Sequence, residues 1–294
     1  MTLRLSRPGA DVYVPDGDGN GDGDGADPAA ALAGVTHLGI AAHADDLEIM
    51  AYHGIRLARS EPGARFGGVV CTDGRGAPRT GRFTDTSDEA MRDLRREEQR
   101  EAARRGGYAA VVQLDHPSAS LKQGVSADVV DDLAAVLGAA RPQVVYTHNP
   151  MDAHVTHLGA CVASIEAVRR LPADARPARV LGCEGWRGLD WLPASDKTHL
   201  DLGREDAHWS GLIRAFASQT DGGRPYDEGA LGRARANAVF RESHDAGGDE
   251  RLWLAVDLTP TTRDGGPNRD AFVAECLERF GREVRGALAK VRGR

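Results

Sequence analysis

His43, Asp45, Asp46 and Glu48 fall within six residues, in the stretch IAAHADDLEIM, directly after an apolar run. Far downstream, THNPMDAHVTH gathers His148, Asp152, His154 and His157 within ten residues. Burying an unpaired charge is strongly unfavourable, so such clusters at the edge of a core either face an open loop or surround something positive. Imidazole and carboxylate donors together are the mixture that suits zinc or a similar divalent ion. Three protein donors leave a coordination position for water, as in a catalytic site, whereas four close it. His154 and His157 are spaced to share one face of a helix, and Asp152 suits that helix's N-cap. Each cluster also has a structural alternative. A histidine beside a core helix is commonly just hydrogen-bonded, and an Asp-Asp pair suits a helix start, where the dipole favours carboxylates.

These residues need elements that bring them together. Apolar runs at 35–42, 65–72, 109–114, 143–147, 180–183 and 252–258 predict strands. Helical periodicity predicts helices over 46–59, 87–106, 127–140 and 154–171, the last through Val155, Leu158, Val162 and Ile165. Further helices are expected near 204–218, 227–241 and 269–291. This alternation predicts an α/β, Rossmann-like fold, a mostly parallel sheet with helices on both faces. Ligands of such folds gather at the carboxyl ends of the strands. Residues 43–46, 72–76 and 148–154 each follow a strand, so three polar clusters are predicted to meet on one rim.

The 294 residues, 41% of them hydrophobic, suffice for a large core. A net charge of −7 argues against a nucleic-acid footprint and against an anionic membrane surface. No apolar run approaches a membrane span, and the start, MTLRLSRPGADVYV, lacks the apolar core of a signal peptide. Cys71, Cys161, Cys183 and Cys276 form no C-x-x-C pair and read as reduced, buried thiols of a cytoplasmic protein. Residues 16–27, DGDGNGDGDGAD, are of low complexity. They place Asp16, Asp18, Asn20, Gly21, Asp22, Asp24 and Asp27 at EF-hand loop positions 1, 3, 5, 6, 7, 9 and 12. However, Gly23 stands where an apolar residue belongs, Asp27 replaces the usual Glu, and Pro28 follows at once. The stretch reads as a flexible acidic loop in an N-terminal segment, 1–34, ahead of a single domain, 35–294.

With AHADDLE and DAHVTH in this order, the sequence resembles the PIG-L/LmbE-like zinc-dependent de-N-acetylases, whose pattern is A-H-P-D-D followed well downstream by H-P-D-H or H-x-x-H. The likeness spans about residues 35–220 and includes the family's R-x-x-E-x-x-x-A-A segment, here Arg95, Glu98, Ala102 and Ala103. It implies zinc, or another divalent ion, held by His43, Asp46 and His157, with Asp45 as general base. His154 would be the acid or electrostatic partner, expected in its protonated form. Ala44 replaces the usual proline, Glu48 sits one place later than in the H-P-D-D-E subgroup, and Thr156 replaces an Asp. None of these departures removes an implied ligand, base or acid.

The implied activity is hydrolytic removal of an N-acetyl group from an amino sugar or amino-sugar conjugate by a zinc-activated water. Amide hydrolysis needs a nucleophile at neutral pH, and a metal lowers the pKa of water towards about 7. A carboxylate beside a ligand carboxylate is placed to take the water's proton, and the oxyanion needs a second positive partner. The alternatives are an amidase acting on a larger conjugate, as in the mycothiol-conjugate amidase branch, and a non-catalytic α/β module binding a sugar or nucleotide. No G-x-G-x-x-G follows the first strand to support the latter. The expected partner is a small acetylated amino sugar or glycoconjugate, with self-association open. Trp186, Arg187, Asp190 and Trp191 in CEGWRGLDWL read as sugar contacts or as a loop packed on the core, and Arg75, with Arg79 and Arg82, as a contact for an anionic substrate or as surface arginines. His148 either orients a site residue or ends its strand. Cys161 reads as core, and Arg224 and Tyr226 as part of a glycine-rich lid.

Overall fold

The computed structural model describes residues 3–15, 27–221, 224–241 and 251–292. Its sheet contains β1 (Asp11–Tyr13), β2 (His37–Ala41), β3 (Phe66–Thr72), β4 (Ala110–His116), β5 (Val144–His148), β6 (Arg179–Cys183), β7 (Thr198–Asp201) and β8 (Leu252–Asp257), in the order β1-β4-β3-β2-β5-β6-β8-β7. The five central strands, from β4 to β6, run parallel. Antiparallel β1 closes one edge, and antiparallel β8 and β7 extend the other. β3, FGGVVCT, is buried at every residue, as expected of a strand covered on both faces.

Alternation along the strands feeds two apolar cores. Ile40, Val69 and Val112 point to one face, where they meet Leu32, Leu133 and Val168 of α1 (Pro28–Ala33), α6 (Ala127–Ala140) and α7 (Val155–Arg170). Between α1 and α6 the chain forms α2 (Asp46–Met50), α3 (Tyr52–Ser60), α4 (Asp88–Gly106) and the short α5 (Ala119–Lys122). After α7 come α8 (Asp206–Ile213), α9 (Ala217–Thr220), α10 (Tyr226–Val239) and α11 (Arg269–Val291). On the other face Ala41, Val70 and Val111 meet Leu47, Ile55, Ala102, Trp209 and Ala234, from α2, α3, α4, α8 and α10. The sheet is thus covered by helices on both sides.

β2 lies between β3, its successor in the chain, and β5. The strand order therefore reverses at the β2/β5 pair, and such a switch point opens a crevice at the carboxyl ends of the strands. β2 delivers residues 43–46 into this crevice and β5 delivers residues 148–154.

Several elements differ from the sequence expectation. The helix expected over 46–59 breaks at Ala51, where the Trp209 indole N–H donates to the Glu48 carbonyl at 2.7 Å. The one expected over 204–218 divides into α8 and α9. β1 and β7, of three and four residues, are too short to show a period. Val155 lies in solvent rather than in the core, and α7 buries Ala160, Cys161, Ala163, Ala167 and Val168 instead. This small-residue face lets α7 come close to its neighbours. A Cβ on Gly159 would stand 2.4 Å from the Leu121 carbonyl oxygen of α5. All four cysteines are buried and free. Among the described residues no helix is long and apolar enough to cross a membrane.

Most of the acidic stretch, 16–26, lies outside the described residues. Asp27, assigned to its last position, is the N-cap of α1 and accepts from the Ala29 N–H at 3.0 Å. Deleting 16–26 while keeping Asp27 is expected to move the melting temperature by less than about 2 °C, because Gly and Asp offer a core little apolar surface. A calcium-dependent rise in melting temperature that disappears with the deletion would instead establish a cation-binding loop.

Candidate active and metal site

Asp46 is the hub of the crevice. Its Oδ2 accepts the His43 backbone N–H at 2.8 Å and lies 3.1 Å from His43 Nδ1, while Oδ1 lies 3.4 Å from His157 Nε2. His148 Nε2 is 3.3 Å from the same carboxylate, and the His148 ring stacks on His157 at 3.9 Å. Asp152 does not cap the helix. α7 starts at Val155 with His154 in the N-cap position and no side-chain cap. Asp152 instead accepts the backbone N–H groups of Ala153, His154, Trp186 and Arg187, and its Oδ2 lies 3.1 Å from His157 Nδ1. That contact assigns a proton to Nδ1, the usual carboxylate support of a metal-binding imidazole, and makes Nε2 the atom that would face a metal once it has lost its own proton.

Two donor sets converge on His157. Nitrogens of His43, His154 and His157 lie within 4.8 Å of one another, as do donors of Asp46, His148 and His157. His148 Nε2 already accepts the Ala42 N–H at 3.0 Å, so its lone pair is occupied. Asp46 meets His43 through Oδ2 at 3.1 Å and His157 through Oδ1 at 3.4 Å, so its two oxygens face two different imidazoles. Imidazole and carboxylate donors in this mixture suit a divalent ion of the zinc type. The electrostatics agree: burial pushes His157 down, but Asp46 and Asp152 outweigh it and raise its pKa to about 10. Burial pushes Asp46 up, yet His157 and His148 outweigh it and hold the carboxylate well below its ordinary range. The pocket is built to keep a positive charge beside Asp46.

Asp45 lies next to this hub but faces a different partner. Its backbone is left-handed, with φ 85°, which an aspartate adopts more readily than most residues. This turns the buried carboxylate towards Arg95, whose Nη2 lies 3.4 Å from Oδ1. Burial raises Asp45 to about 7, against the pull of Arg95. Arg95 also donates to the Ala44 carbonyl and to Ser218 Oγ, and Glu98 accepts from the Ser218 N–H and hydroxyl at 2.7 and 2.6 Å. The R-x-x-E segment of α4 is therefore the brace joining the 43–46 loop to α9. Behind it, buried Glu48 accepts from Gln99 and Tyr108.

The His154 ring lies 5.1 Å from that of His43 and 4.6 Å from that of His157. Burial, then charge on His157 and His43, lowers its pKa to about 4, so it is neutral at pH 7 rather than protonated as expected. Above these groups opens a cleft of about 340 Å³, walled by Gly74, Gly76, Pro78, Lys122, Trp186, Gln219 and Tyr226. Trp186, expected as a sugar contact, lines this cleft. Arg75 turns to Asp73 at 2.7 Å instead. Arg187 and Asp190 are exposed and do not line the cleft. Arg79 and Arg82 pair with Asp88 and Asp221. Lys122 and Gln219 are isolated polar residues that no sequence pattern marks.

The sequence model of the PIG-L family, described as GlcNAc-PI de-N-acetylase, matches residues 38–169. No curated protein matches the chain. Among solved structures the chain is similar to a conserved protein of Thermus thermophilus, at 21% identity over 76% of this chain and 94% of that one, with a TM-score of 0.61. It is similar to GalB, the 4-carboxy-2-hydroxymuconate hydratase of Pseudomonas putida, at 21% identity over 76% and 96%, TM-score 0.60. It is also similar to the N,N'-diacetylchitobiose deacetylase of Pyrococcus horikoshii, at 20% identity over 74% and 82%, TM-score 0.57. At these identities the likenesses establish a shared fold. The family match covers both the AHADDLE and DAHVTH stretches, and so bears out the resemblance drawn from them.

Proposed function

We propose that this protein is a metal-dependent hydrolase that removes an N-acetyl group from an amino sugar or amino-sugar conjugate. The reading is carried by the different surroundings of two adjacent carboxylates. Asp46 is held among imidazoles, whereas Asp45 faces Arg95 and the cleft. His43, Asp46 and His157 would hold a zinc or similar divalent ion, which supplies Lewis acidity to the amide carbonyl and to water. Asp45 takes the proton of the attacking water and returns it to the leaving nitrogen as the C–N bond breaks, giving acetate and a free amine. His154 stabilises the oxyanion that develops on the carbonyl. Arg95 holds Asp45 in place, and Trp186 offers an apolar face to a sugar ring.

The family match and the Pyrococcus deacetylase support this activity, while the Pseudomonas hydratase has a similar fold with another chemistry. The deciding experiment incubates purified, zinc-supplemented protein with a panel of N-acetylated amino sugars and their conjugates, and measures acetate and amine. Equal release of both from at least one compound is expected. Hydration of a 4-carboxy-2-hydroxymuconate with no acetate from any amide would overturn the proposal. Cleavage of larger amides is the second reading, favoured by a further recess of about 380 Å³ that shares Trp186, Arg224 and Tyr226 with the cleft.

A further inference from the structure

A second recess, of about 380 Å³, adjoins the catalytic cleft and shares Trp186, Arg224 and Tyr226 with it. The Trp186 ring stands 5.3 Å from the His157 ring and 5.6 Å from that of Tyr226, and both Trp186 and Tyr226 line the cleft as well as the recess. Ile49, Pro225, Ala230 and Trp253 provide further lining, and among the described residues no carboxylate lines it. Its two cations each contact the recess wall. Arg233 donates to the Gly185 carbonyl and lies over the Trp253 ring at 5.7 Å, and Arg224 donates to the Tyr226 hydroxyl at 3.4 Å. Most of the remaining lining is aliphatic or aromatic carbon, against which an alkyl chain or aromatic ring would exchange water for apolar faces.

We infer that the recess binds an apolar substituent of an otherwise polar amide substrate, so that the preferred substrates are amphipathic. This rests on the hydrolytic reading above. The substituent has two chemical sources, an aglycone on the sugar or an acyl chain longer than acetyl, and both are apolar chains within reach of the cleft.

Gly229 provides the test. It lines the recess from α10, and a Cβ built on it meets nothing within 4 Å, so Gly229→Leu fills the space without a backbone clash. Gly232, on the same helix, also opens on free space but lies off the recess, so Gly232→Leu is the control. With zinc-loaded protein, kcat/KM is compared between methyl and hexyl glycosides of N-acetylglucosamine, and between N-acetyl and N-hexanoyl glucosamine. A gain of about tenfold or more is expected in one series, since each methylene taken from water is worth roughly a factor of four. The series that gains identifies the source. Gly229→Leu should abolish the ratio and Gly232→Leu should keep it.

In parallel, binding of hexyl β-D-glucoside, which has no amide, is followed by tryptophan fluorescence against methyl β-D-glucoside. If no amide is cleaved but the hexyl compound binds more tightly and Gly229→Leu removes the difference, the hydrolytic reading falls and the recess stands. If amides are cleaved with no gain in either series, and both glucosides bind alike, the recess proposal is overturned.

Discussion

Asp45→Asn is expected to retain its divalent ion and to lose activity by a factor on the order of 10² to 10⁴. The asparagine keeps the shape, the left-handed backbone and a hydrogen-bond acceptor for Arg95, but not the basicity. Metal content should survive because the imidazole-facing carboxylate is Asp46, with His43 and His157 at 3.1 and 3.4 Å. If the variant empties the site, or keeps full turnover, the roles of the two carboxylates are exchanged or wrong. The pH dependence follows from the same group. Burial raises Asp45 to about 7, and a base works only when ionised, so activity rises as pH increases through its pKa. A cation beside Asp46 favours the ionised form of Asp45, so in the loaded enzyme this limb falls below that value. His154→Ala should also keep the metal and slow kcat more than it raises KM, since its contact strengthens in the transition state. A fully active His154→Ala would remove it from the oxyanion site.

Larger still is the expected consequence of removing a ligand. Purified protein should carry about one divalent ion per chain, and His43→Ala or His157→Ala should lose most of it together with activity. Elemental analysis alongside acetate release distinguishes this from a purely structural role, and stoichiometric metal in both variants would sink the assignment. Without the ion His157 has a pKa raised to about 10, so its pairing with Asp46 and Asp152 stabilises the protein fully below the ordinary histidine value of about 6.5 and fades as pH climbs towards 10. Loading the metal must displace that proton. Uptake should therefore release protons and weaken as pH falls, which calorimetry in buffers of different ionisation enthalpy measures.

The rim of the site was legible because the acidic and imidazole clusters sit directly after apolar runs, and parallel α/β packing brings such points together. Apolar runs and helical periodicity located all five parallel strands and the long helices. They could not show β1 or β7, whose edge strands are too short, nor the break at Ala51, which coincides with a contact from Trp209 far along the chain. Arg95 and Glu98 were visible only as part of a family segment. Their job, bracing the Asp45 loop against Ser218, depends on α9, more than a hundred residues away. Asp152 was misplaced for a local reason. An aspartate ahead of a helix resembles a cap, whereas its carboxylate serves His157 and the 186–187 backbone. Arg187 and Asp190 share a tight turn with Trp186, and sequence alone does not tell which of three neighbours turns inward.

The left-handed backbone at Asp45 sets the chemistry of this loop against its durability. Glycine adopts φ near 85° without the steric cost that any side chain incurs there, a cost of the order of 1–3 kcal/mol for a strained position. Part of that cost is offset in aspartate, which tolerates the conformation, but not all of it. A library selected only for heat resistance would therefore gain from Asp45→Gly only together with a second change that removes the buried Arg95 charge left without its carboxylate, and the product would be inert. Selection that couples survival to turnover should hold the strained residue fixed and find its stability elsewhere on the chain.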